Sequence, residues 1–344
     1  TIYPSELAEE IGENVGPMVD FPDNWPAQLN NYPEEKHTFM SELRMALDWH
    51  RRLVPYLFKK QKPDVIIQDT YAPNQMLESR WWLPYLDEKR DRYKSADSRA
   101  RESAWSDIHE MYGGLDAILG EAIKNAGPDT LIVFSSDHGI IPLNKYVLLN
   151  NLFAKEGLLK FTVDEKTGEP VIDWANTKVI HLKMHGIYIN PAGLAGNWRR
   201  GSGREYDVLR KKVRKMLLGL NDGDVCPFND IIRWEDAGRL RLPKDRVADL
   251  ILVMRPGYGL NEELNAELTT FKEAVAGGYK QALVADGNPG LWTPFVIMGP
   301  GVKKNHKIKS PLKNADQLPT LLKLMDIRIP QYMQGHVADE IFDK

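Results

Sequence analysis

Residues 135–139 read Ser-Ser-Asp-His-Gly and follow directly on four apolar residues, Leu131, Ile132, Val133 and Phe134. A carboxylate and an imidazole side by side can both turn toward one cation if the backbone leaves the strand there. Gly139 supplies the freedom for that bend. Carboxylate oxygen and imidazole nitrogen are ordinary ligands for zinc and its neighbours. The competing reading is a buried aspartate hydrogen-bonded in a turn beside a surface histidine, and for an isolated Asp-His-Gly it is the commoner one. A second acid, Asp69, closes another apolar run, 64–68 (DVIIQ). It reads as a metal ligand or substrate contact, set against a turn or helix-cap aspartate.

Other chemistry-bearing residues read more blandly. His181 and His185 flank Met184 on a strand-like stretch with no carboxylate between them, and read as packing histidines. His306 and His336 lie in a Lys-rich turn and in the tail, where solvent or capping roles are expected. The run Asn221-Asp222-Gly223-Asp224 lacks the spaced acids and terminal Glu of a calcium loop, so it reads as a turn. The pair Trp81-Trp82 either walls a pocket or fills core.

The elements that must position these groups follow from periodicity. Residues 131–134 are too short and too uniformly apolar for an amphipathic helix and read as a buried strand, as do 64–68, 247–254 and 294–298. Phe39, Leu43, Leu47, Leu53 and Leu57 recur at helical spacing, which predicts a helix over 37–60. The clearest helix is 98–125, ended by Gly127-Pro128; shorter ones are expected at 4–12, 146–156, 205–220 and 314–325. Residues 69–96 read as a long aromatic-rich loop, and 158–190 as β-structure outside the central sheet. Strand 65–68, helix 98–125 and strand 131–134 make a right-handed βαβ unit the default. The expected fold class is α/β: a mostly parallel central sheet with helices on both faces, and 158–245 as an inserted cap.

Composition narrows the partners. The chain has 344 residues, 42% of them hydrophobic, enough for a sizeable core. A net charge of -3 with scattered basic residues announces no nucleic-acid surface. One cysteine, Cys226, excludes an internal disulfide and suits a reducing compartment, so the cytoplasm is the expected location. No apolar run reaches membrane-span length and no signal-peptide pattern is present.

Four segments together resemble the alkaline phosphatase superfamily, in its type I phosphodiesterase and nucleotide-pyrophosphatase-like branch. They are 131–139 (LIVFSSDHG), 64–69 (DVIIQD), 295–302 (FVIMGPGV) and 315–342, which closes on Gly335 and Ile341-Phe342. The resemblance spans 64–342 and implies a metal-dependent hydrolase of small phosphate esters, with one or two divalent ions, zinc or manganese. It implies Asp137 and His138 on one ion and Asp69 on the other. Two family histidines of one metal site are replaced: Pro73 and Pro289 stand at their places, each beside an asparagine, Asn74 and Asn288.

Asn74 and Asn288 are candidate neutral oxygen ligands or substrate contacts, set against ordinary turn chemistry beside proline. Arg80 is a candidate partner for a phosphate, set against a surface role. The family's opening strand and nucleophile have no counterpart, so the chain is expected to be one such domain, 1–344, lacking its N-terminal portion. The nucleophile is expected from a segment upstream of Thr1, supplied as a fragment of the same precursor. The alternative is a catalytically degenerate phosphatase-fold binding or structural subunit.

Overall fold

The helical periodicity at 37–60 and 98–125 becomes two long helices packed on each other. The computed structural model describes residues 5–18, 36–182, 185–196, 198–240, 242–279 and 292–343. Internal contacts divide the chain into two units, Thr1–Gly139 with Trp292–Lys344, and Ile140–Leu291. The second is thus an insertion in the sequence of the first.

In the first unit, α1 (Ser5–Asn14) precedes α2 (Lys36–Tyr56), which runs into a π-helical turn at Leu57–Gln61 and stops at Lys62 in a left-handed conformation. Three short helices follow, α3 (Ala72–Glu78), α4 (Leu83–Leu86) and α5 (Asp91–Ser95), where a loop is expected. Pro73 and Pro84 sit in the first turns of α3 and α4, where a missing N–H costs nothing, so these prolines start helices. Helix α6 (Ser98–Asn125) matches its predicted bounds; the Asp97 carboxylate caps it by accepting from the Ala100 N–H at 2.7 Å.

Phe39, Leu43 and Leu47 of α2 meet Ile108 and Met111 of α6 and Met76 of α3. A Cβ at Gly114 would lie 2.5 Å from the Leu47 side chain, so glycine there lets the helices close. Trp81 and Trp82 fill this core: Trp82 is fully buried, and the rings stand edge to face at 5.5 Å.

Strand β1 (Ile132–Ser135) pairs with β12 (Phe295–Met298), not with 64–68, and the pairing is antiparallel. Residues 64–68 form no strand; no strand among the described residues pairs with their backbone, and Val65 and Ile67 are 56% and 90% exposed. The expected βαβ unit is therefore absent among the described residues. Helix α9 (Asn314–Leu324) follows β12, and the C-terminal segment returns to pair Val302 with Phe342.

The second unit opens with β2 (Ile141–Val147), then α7 (Leu149–Lys155), β3 (Phe161–Val163), β4 (Pro170–Ile172), β5 (Val179–Leu182), β6 (Gly186–Ile189) and α8 (Arg204–Leu218). It continues with β7 (Phe228–Arg233), β8 (Leu250–Met254), β9 (Gly257–Leu260), β10 (Phe271–Glu273) and β11 (Gly278–Tyr279). Helix α7 starts later than its periodicity suggests because Tyr146 and Val147 are held in β2 by β9 and β10.

One sheet has the order β5-β6-β8-β7 and is antiparallel throughout. Its core takes in Val179, Ile187, Leu250 and Leu252, with Phe153 of α7 and Val213 and Leu217 of α8. In the other, β2 pairs antiparallel with β10 and β11 and parallel with β9, the one parallel pair among the described residues. The architecture is mixed α/β.

Candidate functional site

The Asp-His-Gly turn leaves the end of β1 and is held from outside by the first turn of α9. Asn314 donates its side-chain N–H to the Asp137 carbonyl at 2.5 Å, and Gln317 donates to Asn314 Oδ1 at 2.9 Å. The Ser135 hydroxyl donates to Gln317 Oε1 at 2.7 Å, closing a chain of bonds from strand to helix. Ser136 donates to the His138 carbonyl at 2.9 Å. Asn314 and Gln317 stand in no motif that marks them; their place in the helix was readable, their target was not.

Inside the turn the two candidate ligands face each other. The Asp137 side chain is 85% exposed and that of His138 29% exposed, with His138 Nε2 at 3.5 Å from Asp137 Oδ2. His138 Nδ1 lies 3.0 Å from the Gly139 carbonyl. A carbonyl only accepts, so Nδ1 carries a proton and Nε2 is the ring nitrogen turned to the carboxylate. Nε2 and the carboxylate then converge, an arrangement that a proton or a cation between them satisfies.

The spacing suits a metal ion. Two donors each ~2.0–2.1 Å from one ion at a tetrahedral angle stand about 3.4 Å apart. The carbonyl bond at Nδ1 is the kind of outer contact that orients a ligating imidazole. The donor chemistry therefore fits a divalent metal, while the number falls short: among the described residues no three His, Cys, Asp or Glu side chains gather as a metal-binding group.

The other candidates are dispersed over the first unit. Asp69 is exposed, in irregular chain just ahead of α3. Asn74 lies in α3, half-buried, and its side-chain oxygen is buried with no hydrogen-bond partner. Arg80 is half-buried beyond the end of α3, with its carbonyl accepting from Arg92 at 3.4 Å. Asn288, with Pro289, lies outside the described residues.

The bland readings largely hold for the remainder. His185 is buried, and that burial, helped by repulsion from His181, lowers its pKa to about 4, so it is a neutral packing group. Asp222 accepts from the Lys145 ammonium at 2.7 Å and the Tyr258 hydroxyl at 2.9 Å within a tight turn bridged to Val225. His306 meets Glu340 at 3.2 Å, and the His336 N–H donates to Asp316 at 2.8 Å. No described helix is long and apolar enough to cross a membrane.

Comparison with solved structures supports the fold. Human ectonucleotide pyrophosphatase/phosphodiesterase 5 is similar with a TM-score of 0.52 and 14% identity, over 90% of this chain and 65% of that one. The murine enzyme matches at TM-score 0.42 and 15% identity, over 79% of this chain and 63% of that one. Phosphonoacetate hydrolase from Sinorhizobium meliloti 1021, in complex with phosphonoformate, matches at 0.36 and 14%, over 73% and 52%. The chain thus spans less than two thirds of the length of each of these relatives. No curated protein matches it. The family model for type I phosphodiesterase / nucleotide pyrophosphatase matches residues 42–280, well over half of the sequence, and the chain belongs to that family.

Proposed function

We propose that the chain is the larger part of a divalent-metal-dependent hydrolase of phosphate esters. The observation that carries this reading is the Asp137–His138 pair, a carboxylate oxygen and a ring nitrogen 3.5 Å apart with the other ring nitrogen held at the Gly139 carbonyl. Asp137 and His138 would hold one ion, zinc or manganese, and Asp69 would serve the other. A bound ion would polarise the ester phosphate and lower the pKa of the attacking group.

The protein's own part is positioning. Asn314 fixes the turn by its bond to the Asp137 carbonyl, leaving both carboxylate and imidazole free to face outward. Asn74 offers a buried, unspent neutral oxygen where the family has a nearby histidine, which suits a ligand or substrate contact. Arg80 and Asn288 complete the candidate substrate contacts. The nucleophile would come from a segment upstream of Thr1, joined as part of the same precursor. That segment would also complete the mostly parallel sheet expected of the fold. Residues 158–245 would form the cap, inserted between the two parts of the first unit.

Metal analysis of the purified protein tests this, with dialysis against zinc and manganese for the native chain and Asp137→Asn. Retention of about one or two equivalents by the native chain, lost in Asp137→Asn, is the expected result. Equal, negligible retention by both would sink the metal-dependent reading. The second reading, a phosphatase-fold subunit without the chemistry, is favoured by one observation: only two donors converge among the described residues.

A further inference from the structure

Helix α8 has two faces of opposite character. Tyr206, Val213 and Leu217 are buried in the core of the second unit, which fixes the rotation of the helix about its axis. Arg210 turns inward with them: its guanidinium meets Glu235 at 2.7 Å and lies over the Tyr206 ring at 4.9 Å. Arg214, at the edge, donates to the Ile231 carbonyl at 3.0 Å. These two cations are spent.

The others on the helix are not. Arg204, Val208, Lys211, Lys215 and Leu218 follow one another at alternating steps of four and three residues, so they form one stripe, with Lys212 beside it. All six are exposed, Val208 at 59% and Leu218 at 42%. Among the described residues, Arg204, Lys211, Lys212 and Lys215 form no ion pair. The acids nearby are engaged: Asp207 meets Arg210 at 3.3 Å, and Asp230 of β7 meets Arg239 at 3.1 Å. Glu205 stands in the first turn, where the helix dipole favours an acid. The long helices of the first unit differ, for there Arg44 is answered by Glu110, and Arg51 and Arg52 by Asp48.

Four unanswered cations on a fixed face call for an anionic partner, and the two apolar residues narrow its kind. A nucleic-acid backbone would use the cations but gain nothing from Val208 and Leu218, and the stripe has no aromatic ring on which a base could stack. A partner helix needs apolar residues at every third or fourth position, whereas Val208 and Leu218 stand ten positions apart. A second copy of the same face would bring like charge against like. An anionic bilayer uses both kinds of residue: its headgroups receive the cations, and its interface receives the exposed Val208 and Leu218.

We propose that the outer face of α8 docks the protein peripherally on an anionic lipid surface. The helix stays packed on its own core and rests in the plane of the headgroups. The face lies wholly in the second unit and does not rest on the phosphoester reading.

Co-sedimentation of the full chain with vesicles tests it, phosphatidylcholine alone against phosphatidylcholine with about one third phosphatidylserine. The anionic vesicles are expected to bind at least about tenfold more tightly, and raising the salt from about 0.1 M to about 0.5 M should remove most of that preference. Lys211→Glu combined with Lys215→Glu should weaken binding at least about tenfold. The same charge change at Lys59 and Lys60, exposed in the first unit, should leave it within about twofold. Lys211→Gln with Lys215→Gln, which removes charge without adding any, should give a smaller loss in the same direction. Val208→Ser should weaken it about twofold to threefold. The proposal is overturned by equal binding to both kinds of vesicle, by equal losses at the two lysine pairs, by affinity unchanged in Val208→Ser, or by a DNA duplex bound more tightly than the anionic vesicles.

Discussion

Strand β8 and the pair β1–β12 are nearly the same in sequence character and opposite in outcome. Leu250–Met254 (LILVM) has all five residues buried, between β6 and β7. Ile132–Ser135 and Phe295–Met298 are as apolar, yet none of their eight residues is fully buried, and Val296 and Met298 are 59% and 48% exposed. The two strands form a sheet by themselves among the described residues. A run of β-branched and aromatic side chains sets the tendency to be a strand; neighbours on both edges and a layer on both faces set whether it is core. The Asp-His-Gly turn thus stands on the less supported of the two sheets, which is why the bonds from α9 matter to its geometry.

The largest effect that would sharpen this contrast lies in the second unit. Asp249 is fully buried; it accepts from the Tyr206 hydroxyl at 2.7 Å and the Ile189 N–H at 2.6 Å, and Arg200 lies at 3.4 Å. Asp249→Ala strands Arg200 and these donors, and should cost about 3–5 kcal/mol by chemical denaturation. A loss below about 1 kcal/mol would mean the second unit's sheet is no better secured than the first's.

Next comes the response to acid. Burial, then His181, holds the His185 pKa at about 4, below its ordinary 6.5. The folded state therefore prefers the neutral ring. Its contribution is complete above pH 6.5 and is lost as the pH falls toward 4, on the order of 3 kcal/mol in all. Urea midpoints between pH 7 and pH 4 should fall less steeply in His185→Gln than in the native chain. Parallel slopes would show that His185 is not buried as described.

The smallest effect belongs to the exposed strand pair. Val296→Thr keeps the β-branch and removes little buried surface, so stability should change by no more than about 0.5 kcal/mol. A loss of several times that in the purified protein would show that β12 is covered in solution, and the contrast with β8 would disappear.

What could be read beforehand was local. Helix α6 appears over its predicted residues because apolar spacing, the Asp97 cap and the Gly127-Pro128 stop all agree. The strands at 131–134, 247–254 and 294–298 appear close to their expected places, and the Asp137–His138 adjacency is a fact of sequence. Residues 64–68 show the limit. DVIIQ has the composition of a buried strand, but a strand exists only with a partner for its backbone, and sequence does not say whether one arrives. Trp81 and Trp82, undecided between pocket and core, were decided by α2 and α6 closing over them.

The sequence by itself determined the family, the run of most helices and strands, and the neighbouring acid and imidazole at Asp137 and His138. Those depend on short-range periodicity and on adjacent residue types, which the chain carries wherever it goes. Only the tertiary structure decided that β1 pairs antiparallel with β12, that Asn314 grips the Asp137 carbonyl, and that Arg210 of α8 turns inward to Glu235. Each of these joins residues far apart in sequence, and their contact follows from how whole elements pack rather than from any one stretch.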